Sequence, residues 1–361
     1  MEEEIKSLIK VWISVLISLS YCYLIVTKIP KGPTRLLSLL PIFYLFITLP
    51  WSFSSIHFRV ISAFFLTWLG IFKLLLFSFN MGPLPPLQNS YLIFITTASL
   101  PIKPKEDPSP QNPPGGPHTP HFLKRWPTIT AIRGLLLAAL IQVYTYKEHF
   151  NHYVLLAIYC IHLYLSLELV LAIGAATAGA MGLEIERQFE APYLSSSLQD
   201  FWGRRWNLMV TSILRPTVYL PVRSMCTRTV GPRWATPVAV VATFVVSGLM
   251  HELMFYYITE VGPTWEVTWF FVLHGACTAA EVGVRRALTD RCPFLPRAVY
   301  GALALGFVAV TGFWLFFPQL VRYGTDAAAI GEYAILAGFL EEKGRDLASW
   351  LGLVSGMRWG A

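Results

Sequence analysis

Charge is scarce in this sequence: Asp, Glu, Lys and Arg make up 14% of its 361 residues, while apolar residues make up 55%. Soluble chains carry about 25% charged and roughly 45–50% apolar residues, so a surface facing water on all sides is excluded. Cysteine is also sparse. The five (Cys22, Cys160, Cys226, Cys277 and Cys292) are odd in number and form no C-x-x-C pair, which argues against a disulfide framework and against a zinc site. Soluble-enzyme signatures are missing too. There is no G-x-S-x-G, H-E-x-x-H, H-x-x-x-D, Walker A or G-x-G-x-x-G, so serine hydrolysis, zinc proteolysis and nucleotide hydrolysis lose support. No metal site is expected. We found no internal repeat and no N-x-[ST] sequon.

What is present is a series of long apolar runs. They lie at about 8–26, 36–51, 60–79, 134–146, 153–179, 236–257, 265–284 and 298–317, with a weaker ninth near 327–340. A span needs about 20 helical residues, so the chain is expected to be all-α: a polytopic transmembrane helical bundle of about seven to nine spans, forming one domain over 1–361. The N-terminus is acidic (Glu2, Glu3, Glu4) and no small-residue cleavage site follows the first run. A signal peptide is therefore not expected.

Basic residues fall between the runs. With a lumenal N-terminus, one side collects Lys28, Lys31 and Arg35, then Lys103 to Arg133, Arg187 to Arg233 and Arg285 to Arg297, leaving only Lys6, Lys10, Arg59, Lys147 and Arg322 opposite. This asymmetry is the signature of membrane orientation rather than of a nucleic-acid patch. Two segments stand apart. Residues 81–130, with Pro108 to Pro117 at their centre, read as a Pro-rich cytosolic loop. Residues 180–235 are basic and aromatic, which suits an amphipathic or re-entrant element.

Ionisable residues inside a span are costly and need a partner or a role. His162 and Glu168 read as architecture, and Lys73 reads as a snorkelling side chain with no role. His274, Thr278 and Glu281 share one helical face, which predicts either a stitching His–Glu pair or a functional group. His251 sits among apolar residues in Val246-Ser-Gly-Leu-Met-His251-Glu252, with Ser247 on its face. A buried neutral imidazole there is either a satisfied core residue or a general base. Glu252 lies about 100° around the helix, so it is not expected to orient His251.

The segment from Pro192-Tyr193 through Asp200-Phe-Trp202-Gly-Arg-Arg-Trp206-Asn207, followed by Val246 to Glu252, resembles the plant wax synthases of the membrane-bound O-acyltransferase superfamily. Phe72 to Phe77, Leu100 to Lys103, Pro263 to Gly275 and Phe317 to Arg322 look like that family as well, so the likeness covers essentially the whole chain. The resemblance implies a multi-pass enzyme of the endoplasmic reticulum membrane enclosing a substrate tunnel. It would join an acyl-CoA to a fatty alcohol or another lipid hydroxyl, with acyl-CoA as substrate and no cofactor. It also implies Asn207 and His251 as the active site. Trp202, Arg204, Arg205, Trp206 and His274 are then substrate-contact candidates, the two arginines suited to phosphates or else to positive-inside anchoring, and the two tryptophans equally readable as motif-packing or interface aromatics. Sterol acylation or diacylglycerol acetylation would use the same chemistry. A transporter is the alternative from another class, although it predicts repeats that are absent.

Overall fold

A computed structural model describes residues 1–84, 90–103, 121–181, 183, 185–287 and 296–350. They fold into helices, and no β-strand forms among the described residues. Among the described residues, eight helices are long and apolar enough to cross a membrane. They are α1 (Glu2–Lys28), α2 (Pro33–Ser52), α3 (Ile56–Ser78), α5 (Thr128–His149), α6 (His152–Ala180), α9 (Pro232–Thr259), α10 (Glu266–Arg285) and α11 (Arg297–Arg322). Each contains one of the eight strong apolar runs. The ninth run forms helix α12 (Thr325–Trp350), which is not among those eight.

The remaining helices lie in the two segments that stood apart. Residues 81–130 are not simply a loop. Tyr91–Ser99 form α4, mostly buried against α1, and the helix leading into α5 begins at His121. The run Tyr91 to Ala98 is apolar but nine residues at most, too short to span, so it packs inside. Pro108 to Pro117 and Cys292 lie outside the described residues.

Lys73 does not snorkel. It is fully buried, and its Nζ donates to Thr97 O and Leu100 O at 2.6 Å and to Ile102 O at 3.4 Å. A helix C-terminus leaves its last carbonyls without intrahelical donors. The end of α4 and the turn after it meet the ammonium for that reason.

Residues 180–235 contain α7 (Leu208–Leu214) and α8 (Leu220–Thr229), joined by a π-helical turn at Arg215–Tyr219 and packed along α9. Before α7 the chain folds back on itself: Leu208 N donates to Gln188 O at 2.8 Å and Glu190 N to Arg205 O at 3.0 Å. Lys103 pairs with Glu186 at 2.8 Å, and a Cβ on Gly301 of α11 would stand 2.4 Å from Ser195 O, so the motif segment packs closely on both neighbours.

Candidate active site

His251 lies on α9, and its Nδ1 is 2.8 Å from Ser247 O one turn back. A carbonyl only accepts, so Nδ1 carries the proton and Nε2 keeps its lone pair. Nε2 bonds no group among the described residues. Three rings form a cage around the imidazole. Phe271 stacks on it at 4.1 Å between centroids and 26°, Trp68 meets it edge-on at 4.7 Å and 83°, and Phe316 lies at 6.1 Å.

Backbone features bring the cage together. A Cβ at Gly248 would stand 3.1 Å from Thr268 Cα and 3.2 Å from Thr268 O, tighter than most side chains allow, so glycine favours the close approach of α10. Glu252 caps that helix. Its Oε1 accepts from Trp265 N at 2.8 Å, and its Oε2 accepts from Thr268 Oγ1 at 2.8 Å and Thr268 N at 3.3 Å. The carboxylate beside His251 therefore anchors the helix carrying Phe271 and His274, and does not touch the imidazole.

His274 contrasts with His251. Its Nδ1 accepts from Trp202 Nε1 at 3.0 Å, and its Nε2–H faces Thr311 Oγ1 at 2.8 Å, whose own hydroxyl donates to Phe307 O at 2.6 Å. Both nitrogens are engaged. The alternative of a His274–Glu281 pair is not what forms. Glu281 instead accepts from Gln199 N at 3.2 Å and pairs with Arg285 at 2.9 Å. His162 lies between Tyr144 and Tyr333 at 2.9 Å each, and Glu168 pairs with Arg133 at 2.5 Å, both architectural contacts as expected.

The motif segment supplies the other wall. Trp202 sits in a π-helical turn, Phe201–Arg205, with its ring against Phe271 at 5.9 Å and Phe244 at 5.7 Å. Trp206 packs with Phe201, Phe189 and Tyr164. Asn207 has φ 41° and ψ 65°, a left-handed conformation that Asn tolerates. It caps α7 by accepting from Val210 N at 3.4 Å through Oδ1. Val210, in the first turn after Asn207, packs against the cluster of Trp68 and Met254. No hydrogen bond joins Asn207 to His251 among the described residues.

Arg205 is spent on structure, pairing with Asp200 at 2.8 Å and donating to Glu190 O and Ala191 O. Partial burial pushes the Asp200 carboxyl up, but the Ser196 amide and Arg205 outweigh it and hold it below the usual range. Arg204 and Arg205 both line a cleft of about 780 Å³, together with Arg285 and Arg297. Sequence reasoning missed Trp68, Phe271, Thr311 and Phe316, because an aromatic or threonine in an apolar run carries no mark of which helix it will face.

The membrane bound O-acyl transferase family profile matches residues 185–273. A probable long-chain-alcohol O-fatty-acyltransferase 1 of Arabidopsis thaliana is 50% identical over 333 residues, 92% of this chain and 96% of that protein. The chain belongs to that family. This acyltransferase is also 45% identical to the long-chain-alcohol O-fatty-acyltransferase of Simmondsia chinensis, over 97% of this chain and 99% of that one. An acyl-CoA–sterol O-acyltransferase 1 of Arabidopsis thaliana is 42% identical over 96% and 99% of the two chains. The profile match contains Trp202, Trp206, Asn207 and His251 and stops one residue short of His274. Membership of an acyltransferase family leaves the transporter alternative without support.

Proposed function

We propose that this acyltransferase esterifies a long-chain fatty alcohol with acyl-CoA in the endoplasmic reticulum membrane, by direct transfer at His251. The observation that carries the reading is the fixed tautomer: with Nδ1–H held by Ser247 O, the Nε2 lone pair is the one basic atom of the ring left for chemistry. It takes the hydroxyl proton as the alcohol oxygen attacks the thioester carbon. The tetrahedral intermediate then collapses, the C–S bond breaks with its electron pair on sulfur, and the departing thiolate recovers the proton from the imidazolium. The thioester supplies the driving force, so no metal or cofactor is called for.

Asn207 spends Oδ1 on capping α7, which leaves its amide N–H groups as the end suited to the oxyanion or to orienting acyl-CoA. Trp202 fixes the motif turn to α10 through His274. Trp206 and Arg205 support the loop. Arg204, with Arg285 and Arg297, fits the phosphates of CoA, for which the guanidinium fork is well shaped. Identity to an acyl-CoA–sterol acyltransferase over nearly the whole chain favours a sterol as the second choice of acceptor.

The test is a product assay in microsomes from a host lacking neutral-lipid acyltransferases. Labelled palmitoyl-CoA and acetyl-CoA are offered against hexadecanol, diacylglycerol and sterol. The expected product is hexadecyl palmitate. Sterol ester in its place would reassign the acceptor, and no ester with any pair would overturn the reading.

A further inference from the structure

Nearly every polar atom around the cage has a partner. His251 Nδ1–H is held by Ser247 O, and Trp202, His274 and Thr311 form a closed chain ending on Phe307 O. Two atoms do not. One is His251 Nε2. The other is Trp68 Nε1, on a side chain only 2% exposed, which has no hydrogen-bond partner among the described residues. Buried donors are paired in the great majority of cases, so an orphaned indole N–H calls for an explanation. The two rings that carry these atoms are in contact, edge to face, with centroids 4.7 Å apart.

The atoms are complementary: an indole N–H only donates and an imidazole lone pair only accepts. One hydroxyl satisfies both, because its oxygen accepts from the indole while its proton goes to the imidazole. We propose that Trp68 Nε1–H holds the acceptor's hydroxyl oxygen at His251, an assignment that rests on the acyl transfer proposed above. The electron count supports it. A hydroxyl oxygen has two lone pairs, one held by Trp68 and one free to attack the thioester carbon, while the O–H electrons stay on oxygen and the proton moves to Nε2. Breaking the C–S bond returns that proton to sulfur.

An amine cannot do the same. Its nitrogen has a single lone pair, which either accepts from Trp68 or attacks, and not both. Trp68 would therefore make the site select hydroxyl over amine acceptors, a specificity that nothing in the His251 chemistry alone requires.

The experiment compares the full-length protein with Trp68→Phe and with a variant carrying benzothienylalanine at position 68, which keeps the bicyclic shape and replaces N–H by sulfur. Hexadecanol and hexadecylamine are offered against palmitoyl-CoA in the same microsomes. We expect kcat/KM for hexadecanol to fall about tenfold in both variants, the size of one lost hydrogen bond. KM for palmitoyl-CoA and amide formation should be unchanged, so the ester-to-amide ratio falls with the ester. An equal loss for alcohol and amine, a raised palmitoyl-CoA KM or no change in either variant would overturn the assignment. Absence of ester from the wild type would instead refute acyl transfer itself.

Discussion

His251 and His274 occupy neighbouring helices in equally apolar surroundings, yet only one keeps a nitrogen for chemistry. The difference lies in what each ring meets. His274 is bonded on both sides, by Trp202 and Thr311, while His251 is bonded on one. His274→Leu should strand the Trp202 indole N–H and cost about 1–3 kcal/mol of stability, read as a lower melting temperature in detergent. Lys73 follows the same logic at three carbonyls. Lys73→Met should cost about 1.5–3 kcal/mol, the worth of a hydrogen bond to a charged group, and an unchanged melting temperature would show that α4 is held otherwise. His251 and Asn207 were singled out as candidates by their motifs. The closed state of His274 was not, because its partners come from positions 202 and 311, and the burial of Lys73 was not, because snorkelling is the usual fate of a lysine near a span end.

At the scale of elements, π-helical turns are used repeatedly. Phe64–Gly70 carries Trp68, Phe201–Arg205 carries Trp202 and Gly312–Phe316 carries Phe316, so three such turns bring rings to the cage or to its wall. A π turn inserts one residue and shifts the helix register, which re-aims a side chain, and such turns are frequent at functional sites. No hydropathy pattern reveals that shift. The eight spans were legible because the length of an apolar run is a local property, whereas α4 was not, because a short buried helix depends on its neighbours for its burial. The α9–α10 contact is the element on which the cage depends. Gly248→Val places its branched Cβ against the backbone of Thr268 and should push α10 and Phe271 away from His251. The expected result is at least about a tenfold loss of transfer, with destabilisation of about 1–3 kcal/mol, measured on protein matched for abundance.

Across the whole molecule, one face joins the chain's N-terminal part to its last described helix. Glu332 of α12 accepts from Ile56 N at 2.6 Å and Ser55 Oγ at 2.8 Å and meets His57 Nδ1 at 2.7 Å. Burial raises its carboxyl, but these contacts together bring it down to about 2. A carboxyl lowered on folding stabilises above its unfolded value near 4.3 and loses that contribution as pH falls through about 2. Glu332→Gln should therefore melt below the wild type at pH 7, and the gap should close between about pH 4 and pH 2. A gap independent of pH would mean that packing, not charge, holds α12. Elsewhere, Arg204 lines one cleft with Arg285 and Arg297, which lie far along the chain from it. Charge alternation led us to expect them on one side, but their convergence on one cleft required the fold.

The central claim is that His251 is the base of acyl transfer. Its most direct test is ester formation from labelled palmitoyl-CoA and hexadecanol by wild type and by His251→Ala in microsomes matched for protein level. Loss of a general base typically costs about 10²–10⁴-fold, so the account predicts a drop of at least about a hundredfold in the variant. Equal ester from both proteins would contradict it.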